Sequence, residues 1–245
     1  MLNPVTQLSA TRPMQMPVSC LSSPLLSSDE NSAGTTGRLE EFEAGDVIYW
    51  EGDPNGSVYE VAEGVLRLCR VMSDGRRGIT GFAYPGDLVG LGTRDCYGET
   101  AEAATCAILR RHSRKAILDQ SSRSPELGRR LFGIVAEALS AAQERMILLG
   151  RMSAVEKIAC FLLEAARKTG AKRNLHLPLC RADIADYLGL TIETVSRTLT
   201  RLRQAGIISL PTPQMVVLLK RDELERIGDA GEEWLSAPAA HRHAA

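Results

Sequence analysis

The chain has 245 residues, 24% charged and 44% apolar, with a formal net charge of −1. That makeup belongs to an ordinary globular protein with room for one large domain or two smaller ones. It excludes a globally basic nucleic-acid binder, so any phosphate-binding surface must be local, and the 4% of aromatic residues exclude a base-stacking platform for single strands.

Residues 1–37 are rich in Ser, Pro and Thr without sustained periodicity, as in "SSPLLSSDENSAGTTG", and are expected to form a disordered tail. Residues 38–123 are expected to form a β-domain. "DVIYWEGD" and "SVYEVAEGVLRLCRVM" alternate apolar and polar residues, Asp74-Gly75 is a hairpin signal, and "YPGDLVGLG" adds turn residues. Many short strands joined this way predict a small antiparallel barrel or roll. A long helix is expected over 124–150. Leu127, Leu131, Ile134, Ala138, Ala142, Arg145 and Leu149 recur along it at three- and four-residue spacing. This narrow stripe with small alanines reads as the seam of a homodimer. The competing reading is an amphipathic helix laid on its own roll.

The remaining fold signals lie in 151–228. Ser153 and Glu156 make a capping-box pattern, and Gly170 closes the helix they open. A short strand, "NLHLPLC", precedes two helices joined at Gly189, and "IISLPTPQMVVLLK" reads as a hairpin. Helix, turn, helix and hairpin make a winged helix-turn-helix. A short helix follows, then a loose tail over 229–245. The expected class is α+β.

The second helix of that unit carries the functional signal. With Thr191 as its N-cap, Ile192, Val195, Leu199 and Leu202 are placed on one side. Glu193, Ser196, Arg197 and Thr200 are placed on the other, with Arg201 at the edge. The first turns of such a helix reach base edges in the major groove. There Arg can donate two bonds to guanine, Glu can accept from cytosine N4, and Ser can bond a base or touch a thymine methyl. Glu193, Ser196 and Arg197 are therefore the expected base readers. Arg181, Thr191, Thr198, Thr200 and Arg201 are the expected contacts to the DNA backbone. From Lys172 to Arg221 eight basic residues stand against three acidic ones, an excess of five positive charges, as phosphate binding requires. The plainer reading makes Glu193 and Arg197 only a surface ion pair, worth about a few tenths of a kcal/mol.

"RADIADYLGLTIETVSRTLTRL" resembles the helix-turn-helix of the Crp/Fnr superfamily of bacterial transcription regulators. Its Glu193, Ser196 and Arg197 match the E-x-x-S-R reading pattern of the Fnr-type branch. "LCRVMSDGRR", "TAEA" and "LPLCRADIADYLGLTIETVSR" are similar to the FixK group within it. The resemblance runs from about Arg38 to Leu219. It implies an N-terminal cyclic-nucleotide-binding-like β-roll, a dimerisation helix, and a homodimer on double-stranded DNA at a TTGAT-N4-ATCAA-like palindrome. In that pattern Glu193 and Arg197 read the central G·C pair and Ser196 a neighbouring thymine. It further implies recruitment of RNA polymerase, with the turn at Pro85–Leu88 as the contact surface, and control of microaerobic or anaerobic metabolism, mainly as an activator.

Departures from the family pattern bear on what the roll binds. Six cysteines (Cys20, Cys69, Cys96, Cys106, Cys160 and Cys180) are scattered without a CxxC pair, which is neither a disulfide framework nor a zinc site. With only Cys20 in the tail, the thiolates of an Fnr-type iron–sulfur cluster are not at hand. Family cyclic-AMP pockets use a Glu in a G-E-L turn and an Arg-Ser pair, whereas this chain has "VGLG" and Glu99-Thr100. A cyclic phosphate then lacks its charged partner. A haem sensor of the family uses a barrel His; the barrel, read as ending at Arg111, has none, and His112 falls after it. Cys69 and Cys96 are left as thiolate ligands. The expectation is a regulator with no cofactor and no metal, its amount set by an upstream circuit as in FixK-like proteins. It is not an enzyme, since no phosphate loop or nucleophile–base pair stands out. The alternative is an effector-gated regulator whose roll binds a cyclic nucleotide, haem or nitric oxide.

Cys180 precedes Arg181 at the start of a helix, a setting that favours the thiolate. Its oxidation would add negative charge near a phosphate, so it is expected to act as redox control on DNA binding; the plainer reading is a small residue filling space. The terminal "HRHAA" is a loose end of the kind proteases seize, and His241 and His243 lack companions for a metal. No apolar run reaches the ~18 residues that span a bilayer, and no secretory signal opens the chain. The expected compartment is the cytoplasm, with no membrane partner.

Overall fold

The computed structural model describes residues 37–92 and 94–230. Cys20, His241, His243 and the bulk of both terminal tails lie outside these. The chain runs β1 (Arg38–Phe42), β2 (Val47–Tyr49), β3 (Ser57–Glu63), β4 (Leu66–Val71), β5 (Arg77–Ala83), β6 (Leu88–Val89), β7 (Thr100–Ala103) and β8 (Ala107–Ser113). These strands make two antiparallel sheets of four, in the orders β1-β8-β3-β6 and β2-β7-β4-β5. Alternation along each strand turns Tyr59, Val61, Leu66 and Leu109 into the space between the sheets, where they meet Tyr49, Val89, Tyr97 and Ala101. Asp74-Gly75 turns β4 into β5. Gly75 takes a φ of +80°, and Asp74 Oδ1 accepts from the Arg76 N–H at 3.0 Å.

The roll ends later than its sequence suggested. β8 continues to Ser113, so His112 is a barrel residue after all, paired with Val58 and only 3% exposed. The pleat puts it on the outer side of the sheet with Val58, not on the inner side with Tyr59. Its Nε2 lies 3.6 Å from Glu60 Oε2. A helix absent from the sequence reading, α1 (Arg114–Arg123), follows directly, with Ser113 Oγ accepting from the Ala116 N–H at 3.3 Å.

Helix α2 (Pro125–Arg151) has 27 residues, so it is roughly 40 Å long. Ser124 caps it, and Pro125 sits where a missing N–H does no harm. Its faces divide the expected seam. Leu127 and Leu131 are 6% and 9% exposed and pack with Val58 and Ile117 against the outer side of their own roll, with Ile134 beside them. Ala138 lines the cleft between helix and roll, and Arg145 is half-buried and bonded to β5. The large apolar residues left uncovered on α2 are Phe132, Val135, Leu139, Met146 and Ile147, between 52% and 75% exposed, and Leu149 at 40%; Phe132, Val135, Leu139 and Met146 share one heptad phase, which Ala142 and Leu149 of the expected stripe continue. The reason is geometric: both stripes alternate three- and four-residue steps, and the roll takes one of them.

The last unit comprises α3 (Ala154–Lys168), β9 (Asn174–His176), α4 (Arg181–Leu188), α5 (Ile192–Gln204), β10 (Ile208–Thr212), β11 (Met215–Leu218) and α6 (Arg221–Ala230), with sheet order β10-β11-β9. Ser153 and Glu156 form the capping box of α3. One core joins Ile158, Leu162, Ile184, Leu188, Val195, Leu199, Leu202 and Ile207, and it takes in Val65 and Tyr84 of the roll. Each such aliphatic contributes about 1.5–3 kcal/mol on burial, so the unit is both packed within itself and seated on the roll.

Candidate nucleic-acid interface

Three local devices set the angle between α4 and α5. Cys180 caps α4: its Sγ accepts from the Asp183 N–H at 3.4 Å while Asp183 Oδ2 accepts from the Cys180 N–H at 3.2 Å. Gly189 ends α4 at a φ of +61°, a left-handed conformation that a side chain would strain. Thr191 then caps α5, its Oγ1 accepting from the Thr194 N–H at 3.2 Å. The result is two short helices crossing at a tight corner, with Val195 and Leu199 of α5 packed into the core that holds Ile184 and Leu188.

The outer side of α5 presents Glu193, Ser196, Arg197 and Arg201 to solvent, with Thr191 exposed at its start. Among the described residues no ion pair joins Glu193 to Arg197, so the carboxylate and the guanidinium are not spent on each other. Thr200 is half-exposed and donates its hydroxyl to Ser196 O at 2.9 Å, which leaves its oxygen as an acceptor. Two expectations are corrected. Thr198 is 6% exposed and faces the core, so it cannot touch a phosphate; Ile192 is 48% exposed and does not complete the buried side. At ~100° per residue Thr198 falls with Val195 and Leu202, so its position outweighs its polar side chain. Arg181, at the first position of α4, is half-buried, and burial holds its guanidinium below the ordinary arginine value. Cys180 beside it is exposed.

Comparison with known proteins places this surface. Residues 156–227 match the model of the Crp-like helix-turn-helix domain, and residues 39–123 match that of the cyclic nucleotide-binding domain. The nitrogen fixation regulation protein FixK of Azorhizobium caulinodans is 41% identical over 191 residues, covering 76% of this chain and 77% of its own. The chain belongs to the Crp/Fnr family, in its FixK-like group. The transcriptional activator protein FnrL of Cereibacter sphaeroides is 35% identical over 200 residues, covering 78% of this chain and 80% of its own. The solved structure of FixK2 from Bradyrhizobium japonicum superposes with a TM-score of 0.75 at 36% identity, covering 78% of this chain and 96% of that one. This Crp/Fnr protein is accordingly a helix-turn-helix, DNA-binding transcription regulator and not an enzyme.

The same membership raises the question of what the roll holds. In this Crp/Fnr regulator three aromatic rings meet inside it: Tyr49 stacks on Tyr97 at 3.8 Å between centroids and on Tyr59 at 5.9 Å. Tyr97 donates its hydroxyl to Ser57 O at 2.8 Å, and the Gly90 backbone lies so close that a Cβ there would stand 3.0 Å from the Tyr97 ring. At the positions where the family holds a cyclic phosphate, Glu99 accepts from the Thr80 hydroxyl at 2.7 Å and Thr100 accepts from the Glu51 N–H at 3.0 Å. A carboxylate is the wrong chemistry for a phosphate diester, and no cation stands beside it in the Arg-Ser place, so Glu99 does not fit a cyclic nucleotide. His112 offers no axial ligand to the interior, since it points to the other side of its sheet. Among the described residues no group of three or more His, Cys, Asp or Glu could hold a metal ion, and no helix is long and apolar enough to cross a membrane.

Two groups of residues went unnoticed in the sequence. The exposed heptad of α2 was signalled by large apolar residues (Phe132, Leu139, Met146) where the chosen stripe had alanines. The polar contacts that seat the DNA-binding unit had no signal: Arg67 pairs with Asp183 across 116 positions at 3.2 Å, and Lys168 pairs with Asp87 at 2.7 Å.

Proposed function

We propose that this regulator binds as a homodimer to an inverted repeat of the TTGAT-N4-ATCAA kind, with Glu193 and Arg197 reading the G·C pair of each half-site and Ser196 an adjacent thymine. The observation that carries the reading is the outer side of α5, where these three groups stand exposed and uncommitted on a helix whose inner side is buried. Thr191, Thr200, Arg201 and the half-buried Arg181 supply contacts to phosphates, which position rather than specify. Phe132, Val135, Leu139, Ala142, Met146 and Leu149 make the seam between two α2 helices, replacing the stripe first assigned. Two-fold pairing suits a palindrome, because each half-site meets the same surface. The protein works in the cytoplasm, recruits RNA polymerase and acts mainly as an activator in microaerobic or anaerobic metabolism. The turn at Pro85–Leu88 is the surface offered to polymerase: Pro85 is exposed there, while Asp87 is tied to Lys168. Because the Glu99 carboxylate stands where a cyclic phosphate would need a cation, activity on this reading needs no cyclic nucleotide.

The test is a footprint on a TTGAT-N4-ATCAA duplex, in air, with and without reductant. Protection of both half-sites supports the reading; equal affinity for a scrambled duplex overturns it. Reductant matters because Cys180 is exposed at the N-cap of α4, where an oxidised sulfur would add negative charge beside the DNA. We place a redox brake there. Peroxide should weaken binding by the wild type and spare Cys180→Ala; equal weakening of both removes Cys180 from the account.

A further inference from the structure

We propose that Arg67 and Arg145 are positioning residues that pin the two ends of α4 and thereby fix the spacing between half-sites that the dimer accepts. The inference rests on the dimer-and-palindrome reading above. Neither residue lies on the surface offered to DNA.

Helix α4 has eight residues, about 12 Å of rise, and each end is held from a different part of the molecule. At its N-terminus the Asp183 carboxylate, already the reciprocal partner in the Cys180 cap, accepts from Arg67 Nη1 at 3.2 and 3.3 Å. Arg67 belongs to β4, and its Nη2 donates to Glu102 of β7 at 2.9 Å; Glu102 in turn binds Arg77. The side chains of Arg67, Asp183 and Glu102 are 19%, 12% and 16% exposed. Removing one partner therefore strands a shielded charge, which is costly.

At the C-terminus of α4 the Tyr187 carbonyl accepts from Arg145 Nη2 at 3.1 Å. Arg145 belongs to α2, and it also donates to the carbonyls of Ile79, at 2.9 Å, and Thr80 in β5. Its guanidinium lies 3.9 Å above the Tyr187 ring. A cation at the carbonyl end of a helix, flat on an aromatic face, is favourable on both counts. One fork thus joins the long helix, the roll and the DNA-binding unit. Lys157 of α3 donates to Leu188 O at 3.3 Å, which fastens α4 to its own unit.

A short rod held at one end can swing; held at both ends it cannot. α5 follows α4 because the two share a core. The angle between α5 and α2 is then fixed, and α2 is the axis about which two copies pair. That angle sets the separation of the two reading helices, hence the number of base pairs between half-sites.

The test uses the full chain and four substitutions: Arg67→Met, Arg145→Met, Arg145→Lys and Tyr187→Leu. Each is titrated against duplexes with the preferred spacer, a spacer one base pair shorter or longer, and a single half-site. Wild type is expected to prefer one spacer. Each Met variant is expected to lose about tenfold on that spacer, with single-half-site binding unchanged within about twofold. Arg145→Lys, which keeps the charge and loses the fork, is expected to fall between. Tyr187→Leu keeps the carbonyl and loses the ring, and covers the case in which a Met variant does not fold; it should flatten the spacer profile in the same direction. Unchanged spacer profiles in Arg145→Lys and Tyr187→Leu overturn the proposal, as does equal weakening on every duplex. Wild type indifferent to all palindromes would instead remove the dimeric reading beneath it.

Discussion

Leu131 and Phe132 are neighbours in sequence, about 100° apart around the helix, and fall on either side of a boundary: Leu131 is 9% exposed against its own roll and Phe132 is 75% exposed to solvent. One helix therefore has two faces, one spent on holding the subunit together and the other left uncovered, where the proposed dimer seam lies.

Substitutions on the two faces should separate their roles. Leu139→Glu puts a charge in the outer heptad and is expected to shift the protein from dimer to monomer in sedimentation, with loss of palindrome binding. Leu131→Ala is expected to lower unfolding free energy by about 2–5 kcal/mol and leave the sedimentation state unchanged at temperatures where the protein is folded. The opposite pattern would restore the seam first assigned.

On the reading helix, Arg197→Ala should weaken binding to the specific duplex by about 1–3 kcal/mol and relax discrimination at one base pair. Thr198→Val, a change at a buried position, should leave DNA affinity untouched. Competition with duplexes substituted base by base checks both. Equal weakening by Arg197→Ala on all sequences would make it a phosphate contact.

Cyclic AMP should not raise the melting temperature or the DNA affinity. A ligand at a hundredfold excess over its dissociation constant would stabilise the fold by about 2.7 kcal/mol, which calorimetry detects easily. A rise of that size would mean that the tyrosine stack opens.

The Glu164 carboxyl, on α3, is pushed above its ordinary value of 4.5, first by burial and then by Glu144; Lys168, Arg167 and Arg145 pull the other way. The folded chain thus holds this proton more tightly than the unfolded chain does. Its contribution to stability is full below the ordinary glutamate range and is lost as pH rises through the raised value. Glu164→Gln should accordingly gain melting temperature relative to wild type as pH rises from about 4.5 to neutrality. A gap that shrinks over that range would contradict the assignment.

Local signals wrote most of the geometry of the proposed reading surface into the sequence. Thr191 had to be a cap, Gly189 a left-handed corner, and Glu193 and Arg197 one turn apart on the same side. Errors arose where residue type and angle disagreed: Thr198 is polar yet falls on the buried side, and Ile192 is apolar yet sits in the first turn, beyond the reach of the core. The two sides of α2 could not be told apart, because spacing alone does not say which stripe the roll will take. Arg67 and Asp183 illustrate the remaining gap, since their pairing depends on how two separately folded units come to rest.

Glu99, a carboxylate, stands where a cyclic phosphate would need a cation, so on the reading proposed here the regulator has no dial. Its output then follows headcount. Where copies are scarce, the number of paired molecules grows with the square of the number made, so a modest burst of synthesis becomes a steep rise in promoter occupancy. A quiet gene and a silent promoter would go together, and neither would need a small molecule to stay that way.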